Sequence, residues 1–138
     1  MANIHSPSQV LKVVEAFCLA ITAAATNGAS ADALGFRRAM AVFGCDASGA
    51  GTTGDCKLQE SADNATWADV ANAAFAQCTT AGGEQVQVMD VDLAKRKRYL
   101  RLVFTGAGAA AAGAAYGNII LVNPEEAAVS QANTVVSV

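Results

Sequence analysis

One passage of the chain, residues 57–70, predicts a strand, a polar turn and a second strand in unbroken succession. Residues 56–60 before the turn and 66–69 after it alternate in character, which is the period-2 pattern of strands with one buried face. The turn at residues 61–64 supplies Ser, Ala, Asp and Asn, which bond their own backbone and tolerate left-handed φ. The sole tryptophan, Trp67, alternates with polar neighbours, so we expect it in the core or at a subunit interface.

Length and composition indicate a single domain with a weakly polar surface. The 138 residues are enough for one core. Hydrophobic residues make up 53% of the chain and charged residues only 15%, below the roughly 25% usual in soluble domains, which favours permanent association. The net charge of -3 argues against a general nucleic-acid binder, which needs a basic face.

The other strand patterns predict an all-β fold. Seven or eight short strands are joined by Gly, Asn and Ser turns, and the connections are too short for parallel crossovers. We therefore expect an antiparallel β-sandwich of jelly-roll type with extended N- and C-terminal segments. The predicted organisation is an N-terminal lead-in at 1–12, the sandwich at 13–124 and a C-terminal arm at 125–138.

Residues 10–24 leave two structures open. Val10, Val14, Phe17 and Ile21 recur at helical spacing behind Ser6-Pro7, which resembles a helix start. The same segment also alternates as a strand over 16–24. We favour the strand, because the downstream patterns are those of a sheet.

Glycine-rich stretches predict the connections. The Asn27-Gly28 pair favours a turn with positive φ, and residues 44–54 are predicted to be a loop that connects a hairpin. Residues 71–83 have room for one short helical turn. Residues 106–113 are Ala/Gly low complexity and are predicted to be a loop.

The four cysteines have no metal-site or redox-motif spacing. Cys18 and Cys56 are expected to be buried small hydrophobic residues. Cys45 and Cys56 flank the glycine-rich loop, and a disulfide between them is conceivable only outside a reducing cytosol.

No group of residues predicts catalysis, a metal site or a cofactor. The only histidine, His5, lies in the N-terminal lead-in, which is a poor place for a catalytic dyad or triad. Asp90 and Asp92 share one face of a strand and are best explained as its solvated outer side. We therefore expect that the protein is not an enzyme and binds no cofactor.

A basic cluster and an apolar terminus are the candidate partner contacts. The cluster sits at a connection between strands without interleaved aromatic residues, so nucleic acid is an unlikely partner. An acidic partner protein, a solvated turn, or local neutralisation by Asp90 and Asp92 can each explain it. The candidate contact residues are Arg37, Arg38, Lys95, Arg96, Lys97, Arg98, Val135, Val136 and Val138.

The order of motifs resembles a family of small virion proteins, the capsid cement or decoration proteins of tailed bacteriophages. The resemblance covers residues 17–124, and its most specific parts are the hairpin and the Arg-Tyr-Leu-Arg strand. The motifs, in order, are Asn27-Gly28 with Asp32 and Leu34-Gly35-Phe36, Lys57–Ser61, Asn64–Val70, Lys97–Arg101, and an apolar strand ending at Asn123-Pro124. The cysteines and the alanine-rich 106–115 segment depart from the pattern.

The resemblance implies a homotrimer on the outer surface of the phage head, where it contacts the major capsid protein and stabilises neighbouring capsomers. It carries no catalytic residues. The protein would be made in the host cytoplasm, since residues 2–25 lack a secretory pattern, and it has no membrane partner, since no apolar run is long enough to span a bilayer.

Two other binding or structural functions remain open at this point. One is a head-fibre base or a receptor- or carbohydrate-binding jelly-roll module, which exposed loop aromatics would favour. The other is a tail or neck component, which a ring of other than three subunits would favour.

Overall fold

The computed structural model describes residues 11–82, 84–109 and 111–124, and these residues form ten β-strands. The strands are β1 (Leu11–Ala20), β2 (Ala25–Asn27), β3 (Ala31–Asp32), β4 (Phe36–Ala47), β5 (Thr53–Ser61), β6 (Ala68–Ala74), β7 (Cys78–Thr79), β8 (Glu84–Asp92), β9 (Tyr99–Ala107) and β10 (Gly113–Pro124). The predicted lead-in at 1–12 therefore contributes its last two residues to β1. The arm at 125–138 lies outside the described residues.

Two antiparallel sheets pack face to face. The four-stranded sheet has the order β1-β10-β4-β8. The six-stranded sheet has the order β2-β9-β5-β6, with β3 added on β9 and β7 on β5. Most connections cross from one sheet to the other, which is the strand arrangement of a jelly roll. The predicted all-β sandwich is confirmed.

The core between the sheets is built from side chains at alternate strand positions. Phe17, Phe43 and Phe104 contact one another with ring centroids 5.6–6.5 Å apart. Phe75 adds a fourth ring, 5.4 Å from Phe43. Because each strand sends every second residue inward, the other residues of the same strands form two outer faces.

The N-terminal segment is a strand rather than a helix. β1 pairs antiparallel with β10, with Leu11 opposite Val122 and Ala20 opposite Ala114. A register shift between Glu15 and Phe17 lets both Ala16 and Phe17 be buried. The tertiary pairing decides between the two local patterns in favour of the strand.

The central hairpin is confirmed, and Asp63 organises its turn. β5 pairs with β6 across residues 62–67. The Asp63 carboxylate accepts hydrogen bonds from the backbone N–H groups of Ala65 (2.9 Å) and Thr66 (2.7 Å), and from the Ser61 hydroxyl (2.8 Å). Asn64 has a φ of 60°. These bonds to the ionised form hold the pKa of Asp63 well below its usual range.

Two predicted connections differ from the structure. The described glycines with positive φ do not include Gly28. Gly28 is instead required by close approach, because an added Cβ would lie 2.8 Å from the carbonyl oxygen of Leu102. The segment 44–54 is not a hairpin loop: β4 continues to Ala47, and residues 48–52 cross to β5 in the other sheet.

The two remaining loop predictions hold in part. The short 3₁₀ turn at Thr80–Gly82 is the one helical turn for which residues 71–83 have room, but β6 continues to Ala74 and β7 covers Cys78–Thr79, so much of this predicted connection is strand. The low-complexity segment is shorter than predicted, because β9 extends to Ala107 and β10 begins at Gly113.

Candidate interaction surfaces

The predicted basic residues gather at one end of the sandwich, which we call the basic end and define by Arg37, Arg38 and residues 95–98. β4 begins here, β8 ends here at Asp92, and a 3₁₀ turn at Leu93–Lys95 leads towards β9. Six of the nine Lys and Arg residues of the chain lie at this end. The basic end is therefore a concentrated positive region on a chain with a net charge of -3.

Arg98 is neutralised within the chain. Its Nε and Nη2 donate to the two carboxylate oxygens of Asp32 at 2.9 and 2.8 Å. This bidentate pair lowers the pKa of Asp32 and raises the pKa of Arg98. The Arg98 guanidinium also lies 4.9 Å from the ring centroid of Tyr99.

Arg96 and Arg38 are also paired within the chain. Glu60 Oε2 lies 3.5 Å from Arg96 Nη1 and accepts a hydrogen bond from the backbone N–H of Lys97. Arg38 pairs with Asp90. Asp92 instead accepts from the backbone N–H of Ala94, at the start of the 3₁₀ turn. The expectation that Asp90 and Asp92 neutralise residues 95–98 is therefore wrong. The acidic partner of Arg98 is Asp32, and that of Arg96 is Glu60.

Three cations of the basic end have no acidic partner among the described residues. Within the described part of the chain, the side chains of Arg37, Lys95 and Lys97 make no ion pair. Arg37 lines an open surface groove together with Phe36 and Leu93. The other predicted contacts, Val135, Val136 and Val138, lie outside the described residues.

The outer face of the four-stranded sheet combines exposed apolar side chains with charged ones. Val86 and Val88 on the edge strand β8 are 58% and 60% exposed, and Val13 on the opposite edge strand β1 is 36% exposed. Cross-strand register places apolar and polar side chains together on this face, in the rows Val13-Ile120-Met40-Asp90 and Glu15-Asn118-Val42-Val88. Asp90 and Asp92 are exposed at one end of this face, as expected for a solvated outer side.

Tyr116 covers a gap at the centre of this face. Gly44 is directly opposite Tyr116 in the register of β4 and β10. A Cβ added at Gly44 would overlap the Tyr116 ring, so the ring lies flat on the glycine backbone. The aromatic ring thus fills the space that the missing side chain of the glycine would otherwise leave on this face.

The outer face of the six-stranded sheet carries a connected polar network. Asp69 accepts from Lys57 Nζ and from Gln59 Nε2, both at 2.7 Å. These bonds lower the pKa of Asp69. Gln59 Oε1 in turn accepts from Nε and Nη2 of Arg101 at 2.9 and 2.8 Å. The polar groups of this face satisfy one another.

Trp67 completes the network. Its ring lies under the Arg101 guanidinium, 4.3 Å from centroid to Cζ, and the side chain is half-buried. The expected core position is wrong, because Trp67 precedes β6 and packs beneath an outer-face arginine. The alternative expectation, a subunit interface, stays a prediction.

The cysteines differ from the expected arrangement. A disulfide joins Cys45 on β4 to Cys78 on β7, so it links the two sheets and does not involve Cys56. Cys56 is buried, as predicted, and burial raises the pKa of its thiol to about 12. Cys18 was expected to be buried but is exposed on the outer face of the four-stranded sheet, because the register shift after Glu15 turns Phe17 inward in its place.

The described residues contain no cluster of His, Cys, Asp and Glu that could hold a metal ion. Helices long and apolar enough to cross a membrane are likewise not found in residues 11–82, 84–109 and 111–124. The described surface presents a cationic end, a face with exposed valines among charged side chains, and a polar face.

This chain matches one protein-family model, and its fold is similar to that of two solved structures. A family model described as Bbp16 matches residues 15–120. The fold is similar to that of the SPBc2 prophage-derived protein YomS, with a TM-score of 0.53 and 12% identity over 88% of this chain and 100% of that chain. It is also similar to the PBSX exported protein XepA, with a TM-score of 0.61 and 16% identity over 99% of this chain.

The likeness to these two structures concerns the fold alone, since the identities are low. This chain spans 46% of the length of XepA. No curated protein sequence matches it.

Proposed function

The chain belongs to the Bbp16 family, and we propose that it is a structural protein of a tailed-phage virion that binds the outer surface of the head as a capsid cement protein. The matched residues 15–120 coincide with the domain whose motifs resemble cement proteins. The jelly-roll fold and its similarity to YomS, a prophage-derived protein, support a virion role. The role is structural rather than enzymatic, and no cofactor takes part.

The observation that carries the proposal is the concentration of six of the nine cations at the basic end. Arg37, Lys95 and Lys97 make no ion pair among the described residues, so their charges are available to a partner. An acidic patch on the major capsid protein is the complementary surface. Such complementarity steers association and fixes the orientation of the bound protein.

The proposed assembly is a homotrimer. Three copies on one shell share an effective concentration, so weak contacts of each copy combine into tight binding. Pro124, the last described residue, is paired with Phe36 at the basic end. The segment 125–138, with Val135, Val136 and Val138, therefore continues from the end that we assign to the capsid, and it is the proposed arm.

The test is binding of the purified protein to phage heads that lack it, measured by co-sedimentation at several salt concentrations. The variant Lys95→Gln/Lys97→Gln removes two unpaired cations from the basic end. We expect it to weaken binding roughly three- to tenfold at low salt, with a smaller effect near 0.5 M salt because charges are then screened.

The control is Lys57→Gln, which removes a cation from the outer face of the six-stranded sheet, away from the basic end. It should bind within about twofold of the wild type, since exposed ion pairs contribute little. Equal loss in both variants would contradict a role for the basic end. Absence of wild-type binding to heads would contradict the cement function itself.

A further inference from the structure

The segment 93–98, which joins β8 to β9, contains two kinds of cation in alternation. Arg96 and Arg98 each pair with a carboxylate of another strand, a contact that suits the planar guanidinium. Lys95 and Lys97 are exposed, and their side chains make no ion pair among the described residues. The arginines therefore attach the segment to the fold, whereas the lysines carry the charge that is left for a partner.

Glu60, near the end of β5, holds the middle of this segment. Its Oε2 accepts a hydrogen bond from the backbone N–H of Lys97 at 3.1 Å and lies 3.5 Å from Nη1 of Arg96. The Glu60 side chain is only 16% exposed, so water screens these contacts less than those of an open surface pair. One carboxylate thus holds both the backbone and a side chain at the centre of the segment.

Asp32 holds the end of the segment that leads into β9. Its two carboxylate oxygens accept from Nε and Nη2 of Arg98. The backbone carbonyl oxygen of Arg98 also accepts from the backbone N–H of Ala33 at 2.8 Å. At the other end, Asp92 accepts from the backbone N–H of Ala94 at 3.1 Å. The segment is therefore attached to the fold at its start, its middle and its end.

We propose that Glu60 and Asp32 are positioning residues of the basic end: they hold the segment 93–98 in one conformation, which presents Lys95 and Lys97 together to an acidic partner. This inference rests on the proposed capsid binding and names the residues that prepare the surface for it. A segment already ordered in the free protein loses little conformational freedom on binding, so more of the contact energy becomes affinity.

Charge and positioning predict opposite effects of removing Glu60. Glu60→Ala takes a negative charge from the basic end, so electrostatics alone would tighten binding to an acidic partner. Loss of positioning should instead weaken binding to phage heads that lack the protein, by about fivefold. Glu60→Gln makes the same change of charge but keeps an oxygen that accepts from the Lys97 N–H, so it should bind within about twofold of wild type. Binding of Glu60→Ala that equals or exceeds that of Glu60→Gln would overturn the positioning role.

A second background separates positioning from a general loss of stability. Glu60→Ala is also introduced into Lys95→Gln/Lys97→Gln, in which the positioned charges are already missing. Groups that act through one another have non-additive effects, so the further loss in this background should be less than about twofold. The same fivefold loss in both backgrounds would show that Glu60 supports the fold and does not position the lysines.

Hydrogen exchange of the free protein tests the attachment of the segment without heads. Amides at residues 93–98 should exchange about tenfold faster in Glu60→Ala than in wild type, whereas amides in the middle of β4 should be unchanged. Asp32→Ala should likewise speed exchange at 93–98 and weaken binding, although it frees Arg98 as an additional cation. Unchanged exchange at 93–98 in both variants would overturn the inference.

Asp46→Ala is the matched control for charge. Asp46 is exposed near the far end of β4, so its loss removes one carboxylate away from the basic end. It should bind heads within about twofold of wild type and leave exchange at 93–98 unchanged. Wild type that binds no heads would overturn the capsid function together with this inference. Wild type that binds heads as tightly as Glu60→Ala would overturn the positioning role alone.

Discussion

The two outer faces of the sandwich differ in how their side chains interact within the chain. On the six-stranded sheet, Lys57, Asp69, Gln59 and Arg101 bond to one another, and Arg101 covers Trp67. On the four-stranded sheet, Val86 and Val88 are exposed. The first face is complete within one chain, whereas the second leaves apolar area in water that a partner would remove.

The comparison shows that the exposed area of a side chain does not by itself indicate a binding surface. The hydrogen bonds and ion pairs that the side chain already makes have to be considered as well. Both faces arise from strands with the same alternation. A polar face whose donors and acceptors are matched has little to gain from a partner, because a partner must replace bonds already made. An apolar face gains from every contact. This contrast supports the proposal of a partner contact at the basic end, where three cations make no ion pair among the described residues.

The largest expected effect on stability comes from breaking the disulfide that links the two sheets. The Cys45–Cys78 disulfide joins the sheets and closes a segment with a sequence separation of 33. Its loss should lower the free energy of unfolding by about 3–4 kcal/mol, from the chain-entropy relation for a loop of that length. Urea unfolding of the wild type with and without a reductant measures this difference.

Cys78→Ala is the control for that measurement. Its unfolding curve should coincide in the two buffers, since the bond is already missing. Thiol titration in denaturant should find two free thiols, Cys18 and Cys56, before reduction and four after it. Four thiols without reductant, or a wild-type curve indifferent to reductant, would show that the sheets are not linked.

The sequence predicts the strands well because alternation is a local property. β5, β8 and β9 contain residues 56–60, 86–91 and 99–104, whose side chains alternate, whereas β6 (Ala68–Ala74) begins two residues after the predicted 66–69 and extends five residues beyond it. The jelly-roll class follows from the number of strands and the short connections. Local signals also identify Asp63 and Asn64 as turn residues, and the structure shows both roles.

Pairings across the fold could not be predicted, because they depend on sheet order. Asp32 and Arg98 are 66 positions apart, and they meet because β3 adds to β9. Cys45 pairs with Cys78 because β7 adds to β5 beneath β4. Spacing alone favoured the nearer Cys56. The basic residues are identifiable in the sequence, but which of them remain unpaired requires the strand order.

An intermediate effect tests whether the polar face is complete within one chain. Arg101→Met keeps the side-chain length but removes two hydrogen bonds to Gln59 and the charge over Trp67. The expected loss is about 1–2 kcal/mol in the free energy of unfolding, with no change in solution mass. Chemical unfolding and light scattering measure the two quantities.

The same substitution on the other face should give the opposite result. Arg38→Met removes an exposed ion pair with Asp90, so stability should change by about 1 kcal/mol or less. Its effect should appear in binding to phage heads instead, since Arg38 belongs to the basic end. If Arg101→Met weakened binding to heads and Arg38→Met did not, the roles that we assign to the polar face and to the basic end would be reversed.

The smallest expected effect is a pH dependence confined to the polar face. Hydrogen bonds from Lys57 and Gln59 hold the pKa of Asp69 below its ordinary value of about 3.9. A carboxylate with a lowered pKa in the folded state stabilises it above that ordinary value, and the contribution is lost as the pH falls through the lowered pKa. Asp69→Asn should therefore be less stable than wild type at pH 7, and the two unfolding curves should converge below about pH 4. Asp69 is exposed, so the difference should be small and should shrink with added salt. A difference between the two proteins that persists unchanged at pH 2 would mean that Asp69 acts through its shape and not through its charge.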